Sequence, residues 1–250
     1  MLDGLDGAVP PLPVRNPLAL WEGLAAARGH TVLRRRSFLA VDAGDGPGGL
    51  RVIVRTGEPA AGDVDELDSL LAARRGPVVV EDPFGSLDLS DRILLARELP
   101  VMARQPAPVA GGDPAGVDVT RVTDRDMLAA AERIMVDGFP MDVFQPYRPH
   151  TMLPPALLER DGFDVFLARR GGTPAGACMT VDDPRGGGGV YWVATLPEHR
   201  SRGVARALMH AALHRLDNGP VSLVATAAGE PLYDSLGFET VAHTTWWRLP

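Results

Sequence analysis

Lysine is missing from this chain of 250 residues, and all 25 of its basic side chains are arginines. Codon bias in a GC-rich genome is the plain reading; a sharper one is an acylating enzyme that keeps its own surface free of acylation sites. Cysteine is nearly missing too. Cys178 stands alone, so no internal disulfide can form, which suits a reducing compartment. No apolar run approaches the roughly 18 residues of a membrane span, and the opening "MLDGLDGAVPPLP" has no basic segment followed by an apolar core. The expectation is a soluble, unexported, cytoplasmic protein. An excess of positive charge is lacking as well: residues 1–115 carry 12 Arg against 16 acidic residues, residues 116–250 carry 13 against 16, and the net charge is -7. That balance excludes a nucleic-acid binder, and Arg34 to Arg36 read as a solvated strand end.

What is present is a globular composition, 45% hydrophobic and 23% charged, in a length that fits one large domain or two ordinary ones. The run "RQPAPVAGGDPAG", Arg104 to Gly116, carries too much proline and glycine for regular structure and lies between two apolar-patterned halves. It divides the chain into an α/β domain over residues 1–115 and a second domain over 116–250. The first ten or so residues read as a loose terminus, and "GDGPGG" at Gly44 to Gly49 as a turn.

The second half alternates. Strand-like "VDVTRVTD" leads to a helix, "RDMLAAAERIMVDG", which Asp124 can cap and whose apolar positions keep the 3.6-residue period. The proline-rich "FPMDVFQPYRPHTMLPP" that follows is a loop or lid. Three strands come next, "DVFLARR", "PAGACMTVD" and "GVYWVATL", joined by turns short enough to make them antiparallel neighbours. A helix from Gly203, strand "VSLVAT", short helix "EPLYDSLG" and strand "ETVAHTTWWRL" complete a mixed sheet flanked by helices. The first half repeats part of that order: strands "SFLAVD" and "LRVIVRT", helix "DVDELDSLLAARR", strand "PVVVED", a short segment, then "ILLARELPVMAR". A diverged structural repeat is one explanation, and the chance recurrence of α/β order is the other.

The richest stretch is "VATLPEHRSRGVARALMHAALHR", Val193 to Arg215. An apolar strand passes through two arginines and a glycine directly into an amphipathic helix. The first N-H groups of a helix have no intrahelical partners and the dipole there is positive, so a helix start after a strand is an anion site. Gly203 allows close backbone approach, and Arg200 and Arg202 add mobile charge. By spacing alone, an ordinary strand-to-helix loop with solvated arginines fits equally well.

Three segments in order remove that tie. "RSRGVA" resembles the Arg/Gln-x-x-Gly-x-Gly/Ala pyrophosphate loop of the GNAT N-acetyltransferase superfamily, "VATLPEHR" its central strand and approach, and "PLYDSLGFE" its Leu-Tyr-x-x-x-Gly-Phe segment. The resemblance covers about residues 117–250. It implies a GNAT-type mixed, mostly antiparallel sheet, with acetyl-CoA as co-substrate. It also implies Arg200, Ser201, Arg202, Gly203, Val204 and Ala205 on the pyrophosphate, and Val193, Ala194 and Thr195 beside pantetheine and the acyl group. Tyr233 would protonate the departing thiolate, although a tyrosine in a short helix also suits the core. Two departures stand out: Thr226 replaces a frequent asparagine, and "GVYWVATL" holds no carboxylate. The general base is therefore open among Asp137, Asp142, His150, Asp182 and a water chain.

The expected function is acetyl transfer to a primary amine by direct attack in a ternary complex. The alternative is a non-catalytic acyl-CoA binding or sensor module. In the first half, the acid-rich "GEPAAGDVDELD" stands where a pyrophosphate would sit, so one CoA site per chain is expected there being none in the degenerate repeat. The expected partner is a small-molecule or peptide amine, which the acidic balance draws toward cationic species; no nucleic acid and no membrane are expected, and a homodimer stays open. His210 and His214 have metal-ligand spacing but read as solvated, so no metal is expected. Cys178 reads as packed, "GGGG" as a hairpin loop, and Trp246 and Trp247 as facing opposite sides of the last strand.

Overall fold

The computed structural model describes residues 10–92, 94–109, 111–139 and 141–249. The expected loose terminus therefore lies, but for residue 10, outside the described residues. Helix α1 (Leu12–Arg28) comes first, then strands β1 (Thr31–Arg34), β2 (Phe38–Asp42) and β3 (Leu50–Val54), helix α2 (Ala61–Ala73), and strands β4 (Val78–Asp82) and β5 (Leu95–Arg104). The second half runs β6 (Val117–Arg121), α3 (Arg125–Gly138), β7 (Phe163–Arg170), β8 (Thr173–Asp182), β9 (Gly188–Thr195), α4 (Val204–Arg215), β10 (Val221–Val224), α5 (Glu230–Ser235) and β11 (Glu239–Leu249). Asp124 caps α3 by accepting the Met127 N-H at 2.8 Å, and β7, β8 and β9 are antiparallel neighbours.

All the strands lie in one mixed sheet of order β1-β2-β3-β4-β11-β5-β10-β9-β8-β7-β6. Its two parallel pairs are β3 with β4 and β9 with β10, each closed over a helix, α2 or α4. The cut between residues 115 and 116 does not divide the sheet. β5 of the first half lies between β10 and β11, and β11 of the second lies between β4 and β5. Along their length β5 and β11 pair antiparallel from Glu239↔Ala103 to Arg248↔Leu95. The halves thus exchange their last strands about a local pseudo-twofold.

Cross-strand partners share a face, which separates two layers. On one, the front, α1 and α3 cover Leu39, Val41, Ile53, Ala177, Met179 and Val181. On the other, the back, α2 packs on Val52, Val54 and Val80, while α4 and α5 pack on Met102, Cys178, Val190 and Leu223. Trp246 and Trp247 point to opposite faces, the latter against the α2 layer.

Helix α1 is the element the sequence reading leaves unassigned. Of its two prolines, Pro13 falls in the first turn, where a missing N-H leaves no bond unmade, while Pro17 lies inside the helix and forgoes one. Gly29, at φ 71°, ends it. Leu20 and Leu24 are fully buried, each contributing about 1.5 to 3 kcal/mol. Near its start, buried Asn16 donates to the Val181 carbonyl at 3.1 Å and accepts from the Tyr191 hydroxyl at 2.6 Å, while Arg15 grips Asp183 at 2.6 Å. One helix therefore ties β8 and β9 of the second half to β2 of the first.

The linker is anchored rather than free. Arg104 donates to the carbonyls of Leu236 (2.8 Å) and Ala107 (2.7 Å), and Asp113 meets His210 at 3.0 Å. This corrects the expectation of a solvated His210: the ring is buried beneath the linker. Replacing Asn16 with Ala takes the acceptor from the buried Tyr191 hydroxyl and removes the side-chain donor from the Val181 carbonyl. Urea denaturation is expected to show a loss of about 2 to 4 kcal/mol, with the midpoint reporting it.

Candidate active site

The site begins where two strands stop being neighbours. β9 and β10 pair in parallel only at Val221↔Gly188 and Ser222↔Gly189. Beyond those pairs β9 continues through Val190–Thr195 and β10 through Leu223–Val224 with no ladder between them. At the parting point β9 bulges: its register with β8 shifts between Ala177 and Met179, and Trp192 takes φ 50°. A gap of this kind exposes backbone N-H and C=O groups that a sheet would otherwise consume.

The corresponding strands of the first half do not part. β3 and β4 keep register from Leu50↔Val78 to Ile53↔Glu81. The start of α2 is also occupied by the protein itself: Ala60 N-H donates to the Ser37 hydroxyl at 2.9 Å, and Ser37 N-H to the Asp63 carboxylate at 2.9 Å. Hydrogen bonding from Ser37 holds the Asp63 carboxyl below its ordinary range.

The start of α4 is different. A short turn at Pro197–His199 follows β9. Ser201 then adopts φ 56° and Gly203 φ 80°, before the helix opens at Val204. Among the described residues, no acceptor meets the N-H groups of Ser201, Arg202, Gly203, Val204 and Ala205. Arg200 and Arg202 are exposed, and Val204 is buried against the sheet. Gly203 has a structural reason of its own: beyond its positive φ, a Cβ there would lie 2.5 Å from the Pro114 Cβ, so the linker crosses directly over this loop.

Val193, Ala194 and Thr195 form the end of β9 beside the gap. Ala194 faces the front, close enough to α3 that a Cβ on Gly138 would come 2.9 Å from its own Cβ. Val193 faces the α4 layer. Tyr233, in α5, is buried on that same back side with Cys178 and Leu208, its ring edge-on to Phe238 at 5.9 Å. Burial, then the neighbouring Cys178, pushes the Tyr233 hydroxyl up, so it keeps its proton at neutral pH. Burial likewise raises the Cys178 thiol, which makes it an inert packing group.

The candidate bases do not converge. Asp182 pairs with Arg215 at 2.8 Å and lies opposite Gly188, about 23 Å along the strand from Thr195 at ~3.3 Å per residue. Asp137 is tied to Arg133 at 2.5 Å, and Asp142 is exposed with Arg248 at 3.7 Å. His150 is held by its backbone N-H, 2.5 Å from buried Glu132. Glu132 also accepts from Met152 (2.5 Å), Leu153 (3.0 Å) and the Tyr147 hydroxyl (3.0 Å). One buried carboxylate thus pins much of the segment expected to be a lid.

The sequence reading missed a front-face cluster that draws on both halves. Arg51 of β3 lies over the rings of Trp21 (4.5 Å) and Trp246 (4.8 Å) and pairs with Glu81 of β4. Trp21 donates to the same Glu81 oxygen at 3.2 Å and meets Trp192 edge-on at 6.2 Å. The alternation of "LRVIV" and "VVVED" sets Arg51 and Glu81 on the α1 side of the sheet, but only the strand exchange brings Trp246 to them.

Residues 161–240 match the model of the acetyltransferase (GNAT) domain. They form a GNAT domain. Members of that family generally draw on acetyl-CoA. A comparison with curated proteins returns no match. Among solved structures, a GCN5-related N-acetyltransferase from Kribbella flavida shares the fold over 96% of each chain, with TM-score 0.68 and 19% identity. A GNAT-family acetyltransferase from Novosphingobium aromaticivorans does so over 95% of this chain and 96% of its own, with TM-score 0.62 and 20% identity. A tandem GNAT protein of the clavulanic acid pathway is similar at TM-score 0.53 and 11% identity, over 84% of this chain and 77% of its own. The shared fold thus extends well outside the matched GNAT domain and into the first half.

Glu132→Ala leaves three backbone N-H groups without their acceptor and the Tyr147 phenol with the Ala129 carbonyl alone. The expected result is a loss of about 3 kcal/mol or more together with new chymotryptic cleavage after Tyr147, read by mass spectrometry.

Proposed function

We propose that the protein transfers an acetyl group from acetyl-CoA to a primary amine by direct attack in a ternary complex. The observation that carries this reading is the parting of β9 and β10 next to the unengaged amides that open α4. A pyrophosphate would take hydrogen bonds from the 201–205 backbone with Arg200 and Arg202 beside it, and a pantetheine arm would pair with Val193, Ala194 and Thr195 across the gap. Helix-dipole attraction supplies roughly 0.3 to 1 kcal/mol and each charged hydrogen bond about 1.5 to 3 kcal/mol. The paired strands and self-occupied helix start of the first half support one CoA site per chain, in a catalytic unit centred on residues 116–250. A single buried cysteine supports work in the cytoplasm.

The chemistry divides between the two faces. On the front the neutral amine nitrogen attacks the thioester carbonyl, and a backbone N-H at the end of β9 stabilises the developing oxyanion. As the carbon-sulfur bond breaks, the Tyr233 hydroxyl gives its proton to the thiolate on the back, and the proton lost from nitrogen restores the phenol through water. Thr226 in place of the family's asparagine removes one polar contact to the cofactor. The absence of a carboxylate from β9 favours the second reading, a module that holds acyl-CoA without turnover.

Calorimetry with acetyl-CoA, paired with thiol release on adding amines, separates the two: binding with no turnover across an amine panel would select the sensor. Tyr233→Phe is expected to lower kcat by about 10² to 10⁴ while leaving CoA affinity unchanged; an unaltered kcat removes the phenol from the mechanism. Because Gly203 also accommodates Pro114, the cleaner test of the loop is Arg200→Ala with Arg202→Ala, expected to weaken CoA binding by about tenfold or more. Unchanged affinity would place the phosphates elsewhere.

A further inference from the structure

Resting on that reading, we infer that the acceptor amine carries a carboxylate, and that Arg51, Trp246 and Arg97 on the front face bind it. The front is the side on which an acceptor would approach, since α4, α5 and the open amides belong to the back. Trp192, at the bulge of β9, is joined through Trp21 to Arg51 and Glu81. The cluster therefore borders the place where the acyl carbonyl would lie.

The groups this cluster leaves unused are donors. Arg51 spends one terminal nitrogen on Glu81, yet its Nε is buried without a partner, and so is the indole Nε1 of Trp246. Buried donors in a native fold normally have acceptors, and here two lie side by side, with the Arg51 guanidinium 4.8 Å over the Trp246 ring. The Glu81 charge is already met by Arg51 and by the Trp21 indole. Across the strand from Trp246, on the same face, stands exposed Arg97. Arg248, two residues further on, answers Asp142 at 3.7 Å. Tyr191 on β9 faces the same region, and its hydroxyl is driven well above its ordinary range by burial and then by Glu81 and Asp183; it stays neutral. The local excess is positive although the whole chain is acidic, which reverses the cationic acceptor suggested by net charge.

A guanidinium fixed by Glu81 and by two indole rings at 4.5 and 4.8 Å is pre-organised for a planar carboxylate, and lysine does not replace it there. Because both nitrogens are buried, access to them requires a side chain of the cluster to move, and Trp21 is the ring nearest to Arg51. Moving Trp21 gives up its edge-on packing on Trp192 at 6.2 Å, its place beside Arg51 at 4.5 Å and its bond to Glu81 at 3.2 Å, which the bound carboxylate has to offset.

Three probes with one four-carbon chain test the inference: 4-aminobutanoate, butylamine and 1,4-diaminobutane, each assayed by thiol release from acetyl-CoA with wild-type protein. The expected order puts 4-aminobutanoate at least 30-fold above butylamine in kcat/KM, mainly through KM. Trp246→Phe keeps the ring and loses the donor, Arg97→Gln removes the outer charge, and Arg51→Lys keeps a cation for Glu81. Each is expected to cut the preference at least fivefold without changing the KM for acetyl-CoA. Should Arg51→Lys fail to fold, the other two carry the test. Independently of turnover, butanoate is expected to shift the tryptophan emission of wild type and not of Trp246→Phe, since three of the four tryptophans lie in this cluster. A preference for the diamine would assign recognition to Glu81 and overturn the inference, as would equal rates for all three probes or transfer to none of them by protein that binds acetyl-CoA. Failure to bind acetyl-CoA defeats the proposed function instead.

Discussion

The structure depends on the antiparallel pairing of β5 with β11 at the centre of a single sheet. Because each half sends its last strand into the other, the seam between the halves is a backbone hydrogen-bond ladder running from Glu239↔Ala103 to Arg248↔Leu95. Such a seam cannot slide or open without losing many bonds at once. Helix α1 reinforces it on the front face, with Asn16 and Arg15 held by β8 and its connection to β9, and Leu18 and Ala25 packed toward β2. The relative placement of the two faces of the proposed site is thereby fixed by main-chain geometry.

That arrangement lets the halves diverge in chemistry while sharing an architecture. Parallel strands part in the second half and stay paired in the first. Open amides begin α4, whereas Ser37 and Asp63 occupy the start of α2. The first half still contributes to the proposed reaction through side chains, since Arg51 and Glu81 reach the front of the sheet beside Trp192 and Trp246. On this reading the cofactor side is built by one half and the acceptor side by both.

Much of the second half was legible in the sequence because its information is local. Asp124 before an amphipathic run, short glycine turns between alternating strands, and the "RSRGVA" passage each report on residues a few positions apart. The elements of the first half were equally visible from β2 onward. What could not be read is what depends on long-range pairing. Nothing in "ILLARELPVMAR" says that it will lie beside "VSLVAT", and nothing near Trp246 announces Arg51. Helix α1 was left unassigned, and its interior Pro17 is tolerated because Leu20 and Leu24 are buried against strands distant in sequence. His210 looked solvated because its cover, Asp113, comes from a linker that composition marks as structureless. The parting of β9 from β10, finally, is implied only through the resemblance that sets Val193 to Thr195 beside pantetheine, because a failure to pair leaves no mark in the residue pattern itself.

The exchanged strands also impose an order on synthesis. As the chain leaves the ribosome, β1 to β4 can assemble, but the neighbour that closes the β4 edge is β11, made some 150 residues later. Throughout translation that edge presents unpaired backbone, the kind of surface on which nascent chains associate wrongly. The short β4, ending in the acidic pair Glu81 and Asp82, is a poor template for a stranger, and its guard duty during birth is served by the same carboxylates that later hold arginine and turn in the finished fold.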